Sequence, residues 1–413
     1  MPAPECRFCG APLEHTLVDL GETPLANNLL TRAQFGSELE RRFPLHARIC
    51  ARCFLVQVDD VLPPSAIFTD YVYFSSYSRS WLQHAKQFAL AAKARFKLDD
   101  RSHVIEVASN DGYLLQYFAE QGIQVLGIEP AANCAAAAIA RGIPTEVMFF
   151  DEDTASELRD RGVTADLIVA NNVIAHVPSI ARFCRGFPKL LKPEGTLVLE
   201  FPHVLRLVEG IQFDTIYHEH FSYLSLRTLE QVFADAGLRA YDVQELSTHG
   251  GSLRVFACLR EAGFQEMPGL ARVRELEQSA GMGTLDFYRG FSARVDRALR
   301  EFSEFLTKAK GEGRVVAGYG AAAKGNTLLN SCRVSPNEIR WVFDRSPHKQ
   351  GKFLPGSRIE VLAPEKIAEL KPDYLVVLPW NLIDELAAEL SFVKAWGGSL
   401  VVAVPNTRIL RCA

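Results

Sequence analysis

The chain has 413 residues, 48% of them hydrophobic and 23% charged, with a formal net charge of −4. That length exceeds a single core, so two or three domains are expected, and a pI near 6.2 excludes the basic footprint of a nucleic-acid binder. No apolar run is long enough to cross a bilayer, and the opening MPAPECRFCG lacks the basic and apolar regions of a secretory signal. A cytoplasmic protein, with cysteines as thiols or metal ligands, is therefore expected.

Cys6 and Cys9 form one C-x-x-C, and Cys50 and Cys53 form a second. Each short turn presents two sulfurs to one ion, the pattern of a closed tetrahedral Zn(II) site. Gly10 stands where the first knuckle turn needs left-handed backbone. Four thiolates leave no position for water, so the metal is read as structural. A redox C-x-x-C would sit at a strand–helix junction, and no βαβ pattern surrounds these pairs. Residues 1–72 are assigned to this zinc-binding domain, too short for a core of its own, with the metal supplying the missing stability.

Residues 73–258 read as alternating strands and helices of a doubly wound parallel sheet. HVIEVASNDGYLLQYFAEQG is a strand, a turn of small polar residues and a helix closed by Gly122; QVLGIEP, ADLIVANN and KPEGTLVLEFP are further strands. Glu106, Ser109, Asp111 and Gly112 make the first strand–turn, where backbone can approach a ligand and the next helix offers free N–H groups. Glu129 ends the second strand, placed to accept from ribose hydroxyls, while Glu106 is also read as a strand-end carboxylate bonding nearby backbone amides. Together they suit either a dinucleotide or S-adenosylmethionine. The G-x-G-x-x-G fingerprint is absent here, and LLKPEGTLVLE resembles a methyltransferase element.

DTIYHEHFSYLS, residues 214–225, falls in a loop at the carboxyl edge of that sheet, before a helix capped by Ser225 and stopped at Gly237. His218, Glu219 and His220 suit a metal site, an acid–base site or a hydrogen-bonded turn. Read as extended chain, His218 and His220 share a face and Glu219 points away. No acidic cluster stands nearby to complete a metal site, whereas a neutral imidazole suits proton abstraction near pH 7. AYDVQEL and SLRVFACL, joined by STHGG, read as a closing antiparallel pair.

Residues 259–413 begin with a long amphipathic connecting helix and continue as a Rossmann-like domain. RVVAGYGAAAKGNTLLNSC is a strand, a glycine turn and a helix in which Gly318, Gly320 and Ala323 fit G-x-G-x-x-A, with Asp344 ending the next strand. Lys324 precedes Gly325, so the turn is not a Walker A loop. Three readings stay open: an NAD site, a turn that receives the diphosphate of a nucleotide-sugar, and a duplicate that only packs.

The motifs CRFCG…CARC, IEVASNDGYLLQYF, NNVIAHVPS, FDTIYHEHFSYLS, HGGSLRVF and GYGAAAKGNTLLN, in this order, resemble the sugar C-methyltransferases that act on nucleotide-linked keto deoxysugars in antibiotic pathways. The resemblance covers nearly the whole chain and is most specific at YHEHFSYLS. It implies an α/β enzyme built from a small zinc module, a central S-adenosylmethionine-dependent methyltransferase domain and a C-terminal domain anchoring the sugar nucleotide. His220 is implied as general base, with Tyr217, Glu219 and His176 beside it. The cofactor set extends to Asn110, Asn171 and Asn172, and the substrate set comprises Tyr71, His218, Gly320, Lys324 and Asn326. Ala108 departs from the glycine that many methyltransferases carry, a change read as easily tolerated at a strand end. The competing functions are a nucleotide-sugar epimerase, an NAD-linked oxidoreductase and a non-catalytic nucleotide-sugar-binding subunit.

Overall fold

Buried strands with apolar residues on both faces need cover on both sides, and the chain supplies it with three sheets and the helices between them. The computed structural model describes residues 4–61, 63 and 74–410; Tyr71 lies outside the described residues. Strands β1 (His15–Pro24), β2 (Arg42–Ile49) and β3 (Val56–Val58) form an antiparallel sheet. Its fourth strand comes from far along the chain and is only two residues long, Ser222–Tyr223.

The middle of the chain runs α1 (Arg79–Phe96), β4 (His103–Val107), α2 (Leu115–Ala119), β5 (Gln124–Ile128), α3 (Ala132–Ala140), β6 (Thr145–Glu146), α4 (Glu152–Asp160), β7 (Ala165–Asn171), α5 (Ile180–Leu190) and β8 (Leu191–Pro202). It continues with α6 (Val204–Glu209), β9 (Ser222–Tyr223), α7 (Leu226–Asp235), β10 (Leu238–Leu246) and β11 (Ser252–Leu259). The seven-stranded sheet has the order β10-β11-β8-β7-β4-β5-β6, parallel from β8 to β6 and closed by the antiparallel β11 and β10. Strand order reverses between β4 and β7, and the crevice at their carboxyl ends is where such sheets bind ligands. Helix α7 forms as its sequence dictates: the Ser225 side chain accepts from Thr228 N, and Leu226, Leu229, Val232 and Phe233 are buried. Gly237 follows at a φ of 74°.

Helices α8 (Pro268–Ser279) and α9 (Phe291–Gly311) lead to β12 (Val316–Tyr319), α10 (Ala323–Ser331), β13 (Trp341–Phe343), β14 (Glu360–Leu362), α11 (Lys366–Leu370), β15 (Tyr374–Val377), α12 (Ile383–Glu389), β16 (Ser399–Val402) and β17 (Arg408–Leu410). The third sheet has the order β14-β13-β12-β15-β16-β17, parallel except for β17. Along α9, Phe291, Val295, Ala298, Phe302, Leu306 and Ala309 make one buried stripe. The stripe joins a core that also contains Leu17 and Leu45 of the first sheet and Val316 and Val376 of the third.

The four N-terminal cysteines converge, all four sulfurs lying within 4.8 Å of one another. Cys6–Cys53 and Cys9–Cys50 are each separated by 3.5 Å. Tetrahedral zinc with ~2.3 Å bonds sets sulfurs about 3.8 Å apart, so the set fits one Zn(II). The two knuckles close alike: Gly10 N donates to the Cys6 carbonyl at 2.9 Å and Phe54 N to the Cys50 carbonyl at 3.0 Å, both residues with positive φ. Gln57 Nε2 donates to the Cys6 sulfur at 3.2 Å and Arg52 N to the Cys50 sulfur at 3.4 Å, stabilising thiolate charge. Cys6, Cys50 and Cys53 belong to the same core as Leu226, Leu229 and Val232 of α7. No helix of the described residues is long and apolar enough to cross a membrane.

Because the metal closes a module that packs on α7, its loss is expected to reach well beyond residues 4–61. Cys50→Ser, or prolonged chelation, should lower Tm by about 10 °C in a thermal melt, the equivalent of several kcal/mol of lost metal binding. An unchanged Tm in protein shown by metal analysis to be zinc-free would contradict the structural assignment.

Candidate active site

The first turn, Ala108 to Gly112, joins β4 to α2, and three of its residues hold positive φ: Ala108 at 58°, Asn110 at 50° and Gly112 at 77°. Left-handed backbone costs a non-glycine residue about 1–2 kcal/mol. The expectation that alanine is easily tolerated at position 108 is therefore corrected: the residue sits past the strand end, in strained backbone. Glu129 holds the turn in shape, Oε2 accepting from Asn110 N and Oε1 from Ala131 N, each at 2.8 Å. The amide-bonding role expected of Glu106 thus belongs to Glu129, because the turn curls over the end of β5.

Glu106 instead lies fully buried beside Tyr113, with neither oxygen in a hydrogen bond of regular geometry. Burial pushes its carboxyl well above the usual range. Asp111 pairs with Arg141 at 3.0 Å and with the Ser76 hydroxyl, while Ser75 N donates to Asn110 Oδ1 at 2.9 Å, so residues 74–77 close over the turn. Across the switch point, Asn171 ends β7, and Asn172 follows in left-handed backbone with its N–H on the Glu200 carbonyl at 2.6 Å. Ser109 Oγ, Asp111 Oδ1 and both amide atoms of Asn172 are buried without partners among the described residues. Such a ring of polar atoms suits a ligand bearing amino, carboxylate and hydroxyl groups, and these residues fit S-adenosylmethionine.

The HEH segment is a turn rather than extended chain, closed by His220 N donating to the Tyr217 carbonyl at 2.9 Å. This corrects the shared-face expectation. His218 turns to the first sheet, where its Nε2 bonds the Pro44 carbonyl at 3.2 Å and its ring meets Phe43 edge-on. Glu219 is buried, and Asn27 Nδ2 donates to both its oxygens at 2.9 and 2.7 Å. Burial pushes its carboxyl up to about 7, against the lowering effect of Asn27.

His220 faces the carboxyl edge of the seven-stranded sheet. Its Nδ1 lies 2.9 Å from the Thr215 carbonyl, which can only accept, so Nδ1 carries the proton and Nε2 keeps its lone pair. The Tyr217 hydroxyl is 2.7 Å from that Nε2 and donates to it, with the two rings 4.0 Å apart. His176 meets His220 edge-on at 4.6 Å and bonds the backbone of Glu219. Burial lowers His220 well below the usual imidazole range, and the positive charge of Lys324 pushes the same way. His176 is lowered to about 4 by burial. Both rings are neutral at pH 7.

The C-terminal third approaches the same residues, the charge of Lys324 acting on both His220 and Asp214. Lys324 Nζ bonds Asn381 Oδ1 and lies 4.8 Å from the centre of the Trp380 ring. Trp380 Nε1 donates to Asp214 Oδ2 at 2.7 Å, and burial raises Asp214 to about 6 while Lys324 and Trp380 pull it down. Gly320 opens the glycine turn, its N–H on the Phe343 carbonyl at 2.7 Å. Asp344 accepts from Ala321 N at 2.7 Å and Ser346 N at 2.8 Å, so both its oxygens serve the turn itself. Asn326 faces the N-terminal segment, its amide donating to the Ala26 carbonyl at 3.2 Å.

The structure therefore brings Tyr217, His176 and Lys324 around His220, keeps Asn172 beside Glu200 at the sheet edge, and places His218 and Asn326 in the packing. Sequence reasoning missed Asn27, Asp214, His249 and Trp380. Asn27 lies in PLANNLL, where two adjacent amides interrupt an apolar run, and Trp380 follows the proline of VVLPWN. Polar residues breaking apolar segments were the available signal.

Comparison with known proteins accounts for most of the chain in three consecutive parts. A zinc binding domain model matches residues 6–68, a methyltransferase domain model residues 78–243, and a C-methyltransferase C-terminal domain model residues 247–405. The C-methyltransferase NovU of Streptomyces niveus is 37% identical over 409 residues, 99% of this chain and 97% of its own. A ubiquinone biosynthesis O-methyltransferase of Rhodopseudomonas palustris is 29% identical over 96 residues, 23% of this chain and 38% of its own. Among solved structures, magnesium protoporphyrin IX methyltransferase of Synechocystis with bound SAM aligns over 49% of this chain and 100% of its own, at 14% identity and a TM-score of 0.36.

The raised carboxyl of Glu219 gives stability a pH dependence of definite sign. Between the ordinary carboxyl pKa and about 7, the folded chain holds a proton here that the unfolded chain has released, so stability falls as pH rises through that window. The loss is bounded at about 3 kcal/mol. Glu219→Gln should flatten the decline in Tm between pH 5 and pH 8 relative to wild type; parallel curves for the two proteins would place the group in an ordinary environment.

Proposed function

The chain belongs to the C-methyltransferase family, and we propose that it methylates a carbon next to the ketone of a nucleotide-linked deoxysugar, by way of an enolate. As an S-adenosylmethionine-dependent enzyme, it receives from that cofactor an electrophilic methyl group on a sulfonium. The chain's own work is to make a carbon nucleophile and to hold it in line. The observation that carries this reading is His220, whose tautomer is set by the Thr215 carbonyl so that Nε2 is left unprotonated, its lone pair accepting from the Tyr217 hydroxyl.

Methylation at carbon needs an unprotonated base held at the C–H and stabilisation of the resulting oxyanion. Burial keeps the His220 ring unprotonated at neutral pH, and the Tyr217 hydroxyl on Nε2 fixes its aim. On acceptor binding, the proton passes from carbon to Nε2 as Tyr217 gives up that hydrogen bond. The imidazolium forms next to new negative charge on the substrate, which offsets its burial. Glu219 and Asn27 hold the turn from the first sheet, and His176 packs against the base from the other side. Glu106, Ser109, Asp111, Asn171 and Asn172 bind the methyl donor, with Asn110 and Gly112 shaping its turn and Glu129 supporting it. Water is kept out by residues 74–77 and by the third sheet, whose Lys324 brings a cation toward the anionic acceptor. The Cys6, Cys9, Cys50 and Cys53 zinc takes no part in the chemistry. None of the eight described cysteines is in a disulfide: four are the zinc ligands, and Cys134, Cys184, Cys258 and Cys332 are thiols.

The direct test is incubation with S-adenosylmethionine and a thymidine-diphosphate 4-keto-2,6-dideoxy sugar in heavy water, read by mass spectrometry. Wild type should give a product one methyl heavier, with S-adenosylhomocysteine formed in step. His220→Ala should lose at least ~10²-fold in turnover while binding S-adenosylmethionine normally by calorimetry. Deuterium uptake without methylation would move the function to epimerisation, which uses the same base. Lys324→Ala should raise KM for the sugar nucleotide more than KM for S-adenosylmethionine; equal changes would remove Lys324 from the acceptor side.

A further inference from the structure

The turn Thr248–Gly251 lies between the seven-stranded sheet and the third sheet, and one residue in it is out of keeping with its backbone. His249 has φ 54° and ψ 22°, followed by Gly250 and Gly251 at φ 87° and 118°. Glycine is the ordinary occupant of such backbone, and among other residues asparagine, aspartate and histidine are the ones that tolerate it best. The strain is held in place from both sides. Thr248 Oγ1 donates to Glu200 Oε1 at 3.2 Å, and the buried Glu200 is itself held by Arg254 at 2.7 Å and His84 at 3.0 Å. On the other side, Gln212 Nε2 donates to the Gly250 carbonyl at 2.8 Å. A Cβ on Gly250 would come within 2.6 Å of the Trp380 ring, and one on Gly251 within 2.6 Å of the Arg206 side chain. Both glycines are therefore needed for the turn to press against its neighbours.

That pressing places His249 between the two halves of the active site. Trp380, against Gly250, carries Lys324 on its ring. On the other side the His249 ring meets Trp81 edge-on at 5.5 Å, and Trp81 stacks at 6.0 Å on Tyr113, next to Glu106 of the donor turn. His249 is only half-buried, as are His220, Tyr217, His176 and Lys324. Its imidazole makes no hydrogen bond to a described residue, although the surrounding charges of Lys324, Glu200 and His84 all act on it. Burial, with Lys324, lowers the ring to about 4, so it is neutral and keeps one N–H to donate.

Resting on the enolate reading above, we propose that His249 is a further catalytic residue, donating an imidazole N–H to the acceptor's ketone oxygen as it becomes an oxyanion. In the step it serves, His220 Nε2 takes the proton, the C–H electron pair becomes the carbon–carbon double bond, and the carbonyl pair moves onto oxygen. The His249 proton stays on nitrogen throughout. A neutral imidazole is well matched to this role, because its N–H is acidic enough to stabilise an enolate without protonating it. The strained backbone is accounted for on the same basis: the turn selects a side chain for chemistry at a position whose conformation favours glycine.

His249→Gly and His249→Asn separate the chemical role from the structural one, since both residues suit left-handed backbone. With the full-length zinc-loaded protein, S-adenosylhomocysteine and the 4-keto sugar nucleotide in heavy water, deuterium uptake reports deprotonation without methyl transfer. His249→Gly should melt at or above the wild-type Tm and lose about 10²-fold in both exchange and methyl-transfer kcat, with a smaller change in KM. His249→Asn, which restores an N–H donor, should recover part of that loss. Wild-type exchange and turnover in His249→Gly would overturn the assignment while leaving His220 as base. A wild-type protein that neither exchanges nor methylates the keto sugar would overturn the enolate reading and this inference together.

Discussion

A turn that carries two carboxyls and two imidazoles has been taken out of water, and much of the architecture answers to that removal. Charged side chains in such a place either find partners or become neutral. Around residues 214–220 they do both. Asp214 and Glu219 are pushed upward, to about 6 and about 7, while His218 and His220 are pushed downward. The partners come from all three parts of the chain: Asn27 from the loop after β1 and Pro44 from β2, His176 from the loop after β7, Trp380 from the turn after β15 and Lys324 from α10. Under the proposed function, an imidazole that is neutral at rest is what proton abstraction from carbon requires. The same environment makes the pocket costly to assemble from one domain alone.

The zinc module supplies the largest share of that assembly. Val58 N donates to the Phe221 carbonyl, Val56 pairs with Tyr223, and Arg7 lies over the Phe221 ring. Together with Asn27 and Pro44 these contacts grip the catalytic turn on both of its flanks. On the far side, Thr228 and Gln231 of α7 bond the carbonyl of Cys53, one of the metal ligands. A metal held by these cysteines thus supports the turn that carries His220 through a short chain of packed residues.

What the sequence disclosed was whatever is encoded locally. The C-x-x-C pairs, the strand–turn–helix at Glu106–Gly112, the Ser225 cap and the glycine turn at Gly318–Ala323 each lie within a dozen residues, and each forms as read. The contacts that define the site span far greater separations: Asn27 to Glu219 across 192 residues, Pro44 to His218 across 174, Asp214 to Trp380 across 166. No periodicity records such pairs. The HEH segment misled because alternation was taken to mean extended chain, whereas the Tyr217 carbonyl closes it into a turn. Glu106 and Glu129 were likewise separable only once the turn's curl over β5 was known. His249 went unnoticed because its distinguishing property is a backbone angle.

The short strand at Ser222–Tyr223 also bears on how the molecule is made. The first sheet remains one strand short until about 170 further residues have followed Cys53 out of the ribosome, since β3, paired with β2 on one edge, finds its partner on the other edge only at Tyr223. At bacterial or eukaryotic synthesis rates that interval is roughly 10–30 s. All four metal ligands are available throughout it. Zinc therefore meets a nascent module whose edge is still open, and can hold the knuckles ready as a template. Residues 214–223 then arrive at a surface already shaped to receive them, so that metal loading becomes an early step in assembling a turn more than 160 residues further along the chain.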